Sequence, residues 1–62
     1  MRISTTNALE SLADLHEDAA VEWARLASDA SRRGLCDDAD AALMQARKLR
    51  IDALLNRALA AA

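Results

Sequence analysis

His16 and Cys36 are the single histidine and the single cysteine of this 62-residue chain, and their side chains are the best suited to nucleophilic or general-base chemistry. Cys36 precedes two aspartates, whose negative charge disfavours the reactive thiolate. His16 precedes Glu17 and Asp18, which point to other sides of a helix and cannot complete a catalytic pair. One histidine and one cysteine also fall short of the four ligands of a structural zinc site. The sequence therefore predicts no enzyme, no metal and no cofactor.

The composition favours helix throughout. Alanine and leucine dominate, proline is absent, glycine occurs once, and Trp23 is the single aromatic residue, so an all-α fold is predicted. We expect residues 1–62 to form one domain, with a flexible N-terminus at 1–6. A core of this size is marginally stable, and one cysteine cannot form an internal disulfide. Self-association is the expected source of further stability.

Capping and turn residues divide the chain into two helices. The first helix is predicted over about residues 7–33, with Asn7 as its N-cap. Gly34 supplies the left-handed residue that ends many helices. The second helix is predicted over about residues 38–60, with Asp37 as its N-cap. Because the connection is short, the two helices are expected to form an antiparallel hairpin.

A heptad pattern in the first helix predicts the seam that packs against the second helix. The predicted seam residues are Leu9, Leu12, His16, Ala19, Trp23, Leu26 and Ala30. Trp23 is interpreted as a core anchor, and His16 as a polar seam residue that forms a hydrogen bond across an interface. The facing stripe of the second helix consists of Ala39, Ala42, Leu43, Ala46, Leu49 and Ala53.

The second helix carries another apolar stripe on a neighbouring side. Met44, Ile51, Leu55, Ala58 and Leu59 form this stripe, and Leu54 bridges it to the first. A hairpin has one internal seam and cannot cover both stripes, and each large apolar side chain left in water forgoes about 1.5–3 kcal/mol. We expect a second copy of the chain to cover it, giving a homodimeric four-helix bundle. The expected interface residues, for this copy or another protein, are Leu12, His16, Met44, Ile51, Leu54, Leu55 and Leu59.

Residues 20–53 resemble one tetratricopeptide repeat, a helix–turn–helix unit with a Trp-containing opening and small residues at helix contacts. The matching residues are Trp23, Leu26, Ala27, Gly34, Ala39 and Ala46. Ala30 replaces the usual tyrosine, Ile51 replaces the usual proline, and no second repeat flanks the unit. The positions that would clamp a peptide carboxylate in this family hold Ala24, Ser28, Ser31 and Arg32. The resemblance implies a repeat-like hairpin with longer helices, complete in itself, without that mode of ligand binding.

Charge separates the two helices. The first half of the first helix is acidic and the second half of the second helix is basic. An antiparallel hairpin places these two halves side by side. The net charge of −2 is not the basic footprint of a nucleic-acid-binding protein. Neither a signal-peptide core nor a segment long enough to span a bilayer is evident, so a cytoplasmic protein without membrane contact is expected.

These observations favour a non-enzymatic protein–protein interaction module, a small regulatory or inhibitory protein that acts by binding another protein. The alternative is an RNA-binding homodimer. In size and hairpin form the chain resembles Rop-type dimers of helical hairpins, a family that grips paired RNA loops. Under this alternative, the residues expected near the RNA are Arg25, Arg32, Arg33 and Arg47.

Overall fold

The computed structural model describes residues 5–62, which form two α-helices packed against each other. Helix α1 is Thr5–Arg32 and helix α2 is Cys36–Ala61. The described residues include no strand, so the predicted all-α hairpin is confirmed. The principal extents of the hairpin are 49 × 20 × 10 Å. The molecule is therefore elongated and only one layer of helices thick.

Both helices begin before the predicted residues. Helix α1 begins at Thr5, so Asn7 lies inside the first turn and the prediction that it is the N-cap is wrong. Residues 1–4 of the predicted flexible N-terminus lie outside the described residues. Helix α2 has Leu35 as its N-cap, without a side-chain capping bond, so the prediction of Asp37 is also wrong. Asp37 lies in the first turn of α2, where the positive end of the helix dipole stabilises its negative charge.

The connection between the helices is a Schellman turn. Gly34 has φ +77°, the left-handed conformation that its lack of a Cβ permits. The Leu35 N–H donates to the Ala30 carbonyl at 2.9 Å, and the Gly34 N–H donates to the Ser31 carbonyl at 3.1 Å. These two bonds satisfy carbonyls at the end of α1 and reverse the chain within three residues. The predicted role of Gly34 is confirmed.

The interior of the hairpin consists of alanine. Every buried residue in the described part of the chain is an alanine, and the set is Ala13, Ala20, Ala27, Ala39, Ala42, Ala46 and Ala53. In α1 these alanines recur every seven residues, which keeps them on one line of the helix. A methyl group projects little from the helix surface, so an alanine seam lets two helices approach closely.

The predicted seam of α1 is wrong at three of its seven positions. Leu12 and Leu26 are exposed, and the alanines one residue later in the chain are buried instead. Trp23 is 38% exposed, so it lies at the edge of the seam and is not a core anchor. A large side chain at the buried alanine positions would hold the helices apart. The stripe predicted for α2 is confirmed at its four alanines, whereas Leu43 is exposed.

We expect the substitution Ala46→Leu to lower the free energy of unfolding by about 1–3 kcal/mol, because Ala46 is fully buried and a larger side chain overpacks the seam. Ala58→Leu is the matched control, since Ala58 is exposed on the same helix and alanine-to-leucine changes helix propensity little. Urea unfolding followed by circular dichroism at fixed protein concentration measures both. Equal effects of the two substitutions would contradict the close-packed seam.

Candidate interaction surfaces

The alanine seam divides the hairpin surface into two faces. On α1, Leu12, Ala19 and Leu26 lie one residue before the buried alanines, on one flank of the helix. Glu17 and Ala24 lie four residues after buried alanines, on the other flank. The contacts of Glu17 therefore identify which flank of α2 shares its face.

One of the two faces of the hairpin, the charged face, is defined by Asp14, Glu17, Arg50 and Arg57. The Arg57 guanidinium Nη2 lies 2.9 Å from Asp14 Oδ1 and 2.9 Å from Glu17 Oε1, with its side chain 37% exposed. Arg50 lines a shallow depression together with Glu17, Val21 and Leu54. The predicted pairing of the acidic half of α1 with the basic half of α2 is confirmed by these contacts.

A polar pair interrupts the seam between the helices. Asn56 Nδ2 lies 3.1 Å from His16 Nδ1, and both side chains are partly buried. Within the hairpin, His16 thus has the predicted role of a seam residue hydrogen-bonded across a helix interface. Its partner Asn56 was not predicted, although its position seven residues after Leu49 places it in the α2 stripe and could have indicated it. This pair fixes the register of α2 against α1, as polar seam residues do.

The second face, the apolar face, is defined by Leu12, Leu15, Trp23, Leu26, Leu55 and Leu59. Because Arg50 and Arg57 share the charged face with Glu17, the opposite flank of α2, which carries Leu59, lies on the same side as Leu12 and Leu26 of α1. All six defining side chains are exposed. Near the turn, Trp23 and Lys48 line a depression on this face.

A third surface, the outer patch, is defined by Met44, Ile51 and Leu54 of α2. Ile51 points away from α1, whereas Met44 borders the depression beside Trp23 and Leu54 borders the one beside Glu17. All three are exposed, and Met44 reaches 71%. The predicted interface residues thus fall on different surfaces. Leu12, Leu55 and Leu59 lie on the apolar face, the outer patch holds three more, and His16 belongs to the seam.

The four arginines assigned to RNA binding do not form one patch. Arg25 pairs with Glu22 at 2.8 Å, and these side chains lie on α1. Asp29 pairs with Arg32 at 3.7 Å and with Arg33 at 3.3 Å. Arg47 lies on the other helix and makes no ion pair with a described residue. Three of the four guanidinium groups therefore have a carboxylate beside them.

Residues 5–62 contain no candidate metal site and no membrane-spanning helix. No group of three or more histidine, cysteine, aspartate or glutamate side chains there could hold a metal ion. Cys36 is exposed in the first turn of α2. Neither of the two helices is both long enough and apolar enough to cross a membrane.

Comparison of the chain with protein-family models, with curated proteins and with solved structures found no match. The resemblance to a tetratricopeptide repeat stays a prediction. Ala27, Ala39 and Ala46 are buried, as that resemblance implies, but any closely packed helical hairpin requires small residues at such positions.

We expect Arg57→Met to lower the free energy of unfolding by about 1 kcal/mol, because it removes a cation shared by two carboxylates. Arg50→Met is the control, since Arg50 makes no ion pair with a described residue, and its effect should stay within about 0.5 kcal/mol. The difference should shrink in about 1 M salt, where the Debye length falls to about 3 Å. Urea unfolding at low and high salt measures this, and a difference independent of salt would contradict it.

Proposed function

We propose that this protein is a non-enzymatic interaction module, a helical hairpin that pairs with a second copy of itself and binds another protein in that form. One observation carries the proposal. Among the described residues, no side chain larger than alanine is buried, whereas twelve large apolar side chains are exposed. Covering even a few of them gains about 1.5–3 kcal/mol for each fully buried side chain.

The surface area supports pairing with a second copy. A compact monomer of 6.7 kDa exposes about 3,900 Å². The hairpin exposes 4850 Å², an excess close to the roughly 800 Å² that each partner buries in a stable interface. Its radius of gyration of 14.5 Å also exceeds the roughly 11 Å of a compact domain of this length. A second layer of helices reduces both differences.

The apolar face is the surface that the second copy covers in this proposal. Its side chains come from both helices, so a partner laid on it forms a four-helix bundle. The opposite face carries Arg57 with its two carboxylates, and burying these ions would cost several kcal/mol for each ion removed from water.

The outer patch stays exposed in such a bundle and is the proposed site for a different protein. Exposed apolar residues concentrated on one helix mark sites of protein–protein interaction. An amphipathic helix or groove on the other protein would complement Met44, Ile51 and Leu54. A small protein that occupies such a groove is suited to regulate or inhibit the protein it binds.

We expect the full chain to elute with the mass of a dimer in size-exclusion chromatography with light scattering. The double substitution Leu12→Gln/Leu59→Gln should raise the dissociation constant at least about a hundredfold, since four leucines per dimer lose their burial. Leu54→Gln is the control, because Leu54 is as exposed as Leu59 but lies on the outer patch. A wild-type monomer at about 1 mM, where only very weak association escapes detection, would contradict the proposal.

We also expect the wild-type chain to capture a protein from lysate in a nuclease-resistant way, and Ile51→Gln/Leu54→Gln to lose that protein while remaining a dimer. Mass spectrometry of the two captures measures the difference. Capture that disappears after nuclease treatment would support the RNA-binding alternative instead. In that case binding should weaken steeply with salt, because phosphate contacts release counterions.

A further inference from the structure

We infer that the second copy docks on the apolar face with its turn at the same end, so that each α1 lies over the partner's α2. This inference rests on the proposed dimer and specifies its geometry. It follows from the register of the hairpin and from the order of apolar and charged residues along both edges of the apolar face.

The register fixes which residues share a level along the hairpin. His16 lies opposite Asn56, and Arg57 lies between Asp14 and Glu17. At about 1.5 Å per residue, Leu59 therefore lies near the level of Leu12. By the same register, Lys48 lies within about one helical turn of Glu22.

A two-fold axis along the length of the hairpin keeps every residue at its own level and lays α1 of one copy over α2 of the other. Leu12 then lies against the partner's Leu59 in the middle of the interface between the two helices. On the side of that interface farther from the hairpin seam, Leu15 lies near the partner's Leu55, and Glu22 lies near the partner's Lys48. The symmetry makes each contact twice, so these leucines meet leucines and Glu22 meets Lys48 at both sites, while Asp52 lies opposite the partner's Ala19 and not opposite its own symmetry mate.

The opposite arrangement, with the turns at different ends, fails this match. Its two-fold axis crosses the hairpin and lays α1 on α1 and α2 on α2. With full overlap about the level of Ala19, Asp52 approaches its own symmetry mate and the partner's Leu55. Leu59 then lies against the partner's Lys48. Like charges near the axis and leucines opposite charged groups both cost free energy, so this orientation is disfavoured.

The charges of the single hairpin agree with the first arrangement. Lys48 makes no ion pair with a described residue, although it lines the depression beside Trp23 on the apolar face. Glu22 has one cation, Arg25 at 2.8 Å, and its side chain is 66% exposed, which leaves room for a second. Within one hairpin, Glu22 and Lys48 lie on outer edges of different helices and point apart. A contact between them therefore requires a second copy.

The single cysteine allows a direct test of orientation. Cys36 is exposed beside the turn, so a spin label on it marks that end of the hairpin without any substitution. With turns at the same end, pulsed dipolar spectroscopy should give a distance between labels of about 20–30 Å, set by the bundle width. With turns at different ends, the labels would be about 40 Å apart or more, set by the helix length.

The short distance supports the inference, and the long distance overturns the orientation while leaving the dimer intact. A labelled chain that light scattering shows to be a monomer overturns the dimer itself, and with it the inference. The two failures are therefore distinguishable. Unlabelled wild-type chain in the same light-scattering experiment controls for an effect of the label.

A charge swap tests the contact between Glu22 and Lys48. Glu22→Lys should raise the dimer dissociation constant about tenfold at low salt, since each of two symmetric sites then opposes two cations. Adding Lys48→Glu should restore the wild-type value to within about threefold, because the pair is re-formed with reversed sign. Asp18→Lys is the control, since Asp18 faces away from the apolar face. Failure of the second substitution to restore association would overturn the contact.

Discussion

The close contact of the two helices through alanine side chains determines which residues of this structure are buried and which are exposed. Methyl groups such as those of Ala20 and Ala46 let the helix surfaces approach closely, and any larger side chain on that line would separate them. The described leucines, Ile51, Met44 and Trp23 are therefore kept out of the buried interior. The hairpin has a well-defined contact between its helices but little apolar burial, and a protein of this size has few other sources of stability.

Because of this constraint, the three surfaces of the hairpin are suited to different kinds of contact. The charged face is internally satisfied, because Arg57 bridges two carboxylates across the helices and sets their alignment. His16 and Asn56 fix the same alignment from within the seam. The apolar face has no such internal partners and spans both helices, which suits it to pairing with a second layer. The outer patch lies on one helix alone, which suits it to a different partner.

The fold was predictable from the sequence because its signals are local. Composition, the position of Gly34 and the alanine stripe of α2 indicate two antiparallel helices, and the structure confirms them. The α1 seam was not predictable in full. A rule that prefers large apolar residues selects Leu12 and Leu26, whereas the spacing between the helices, a tertiary property, selects the alanines next to them. The candidate interface was predicted as one set, and only the register of the helices divides it between the apolar face and the outer patch.

Trp23 offers the most direct test of the central claim, that the alanine seam leaves an apolar face for a second copy to cover. It is the single aromatic residue of the chain, lies on that face and is partly exposed in the single hairpin. The measurement is the emission maximum of Trp23 across a dilution series of the full chain. We expect blue-shifted emission at high concentration that moves to the red as the dimer dissociates. Emission of a solvent-exposed tryptophan that does not change with concentration would contradict it.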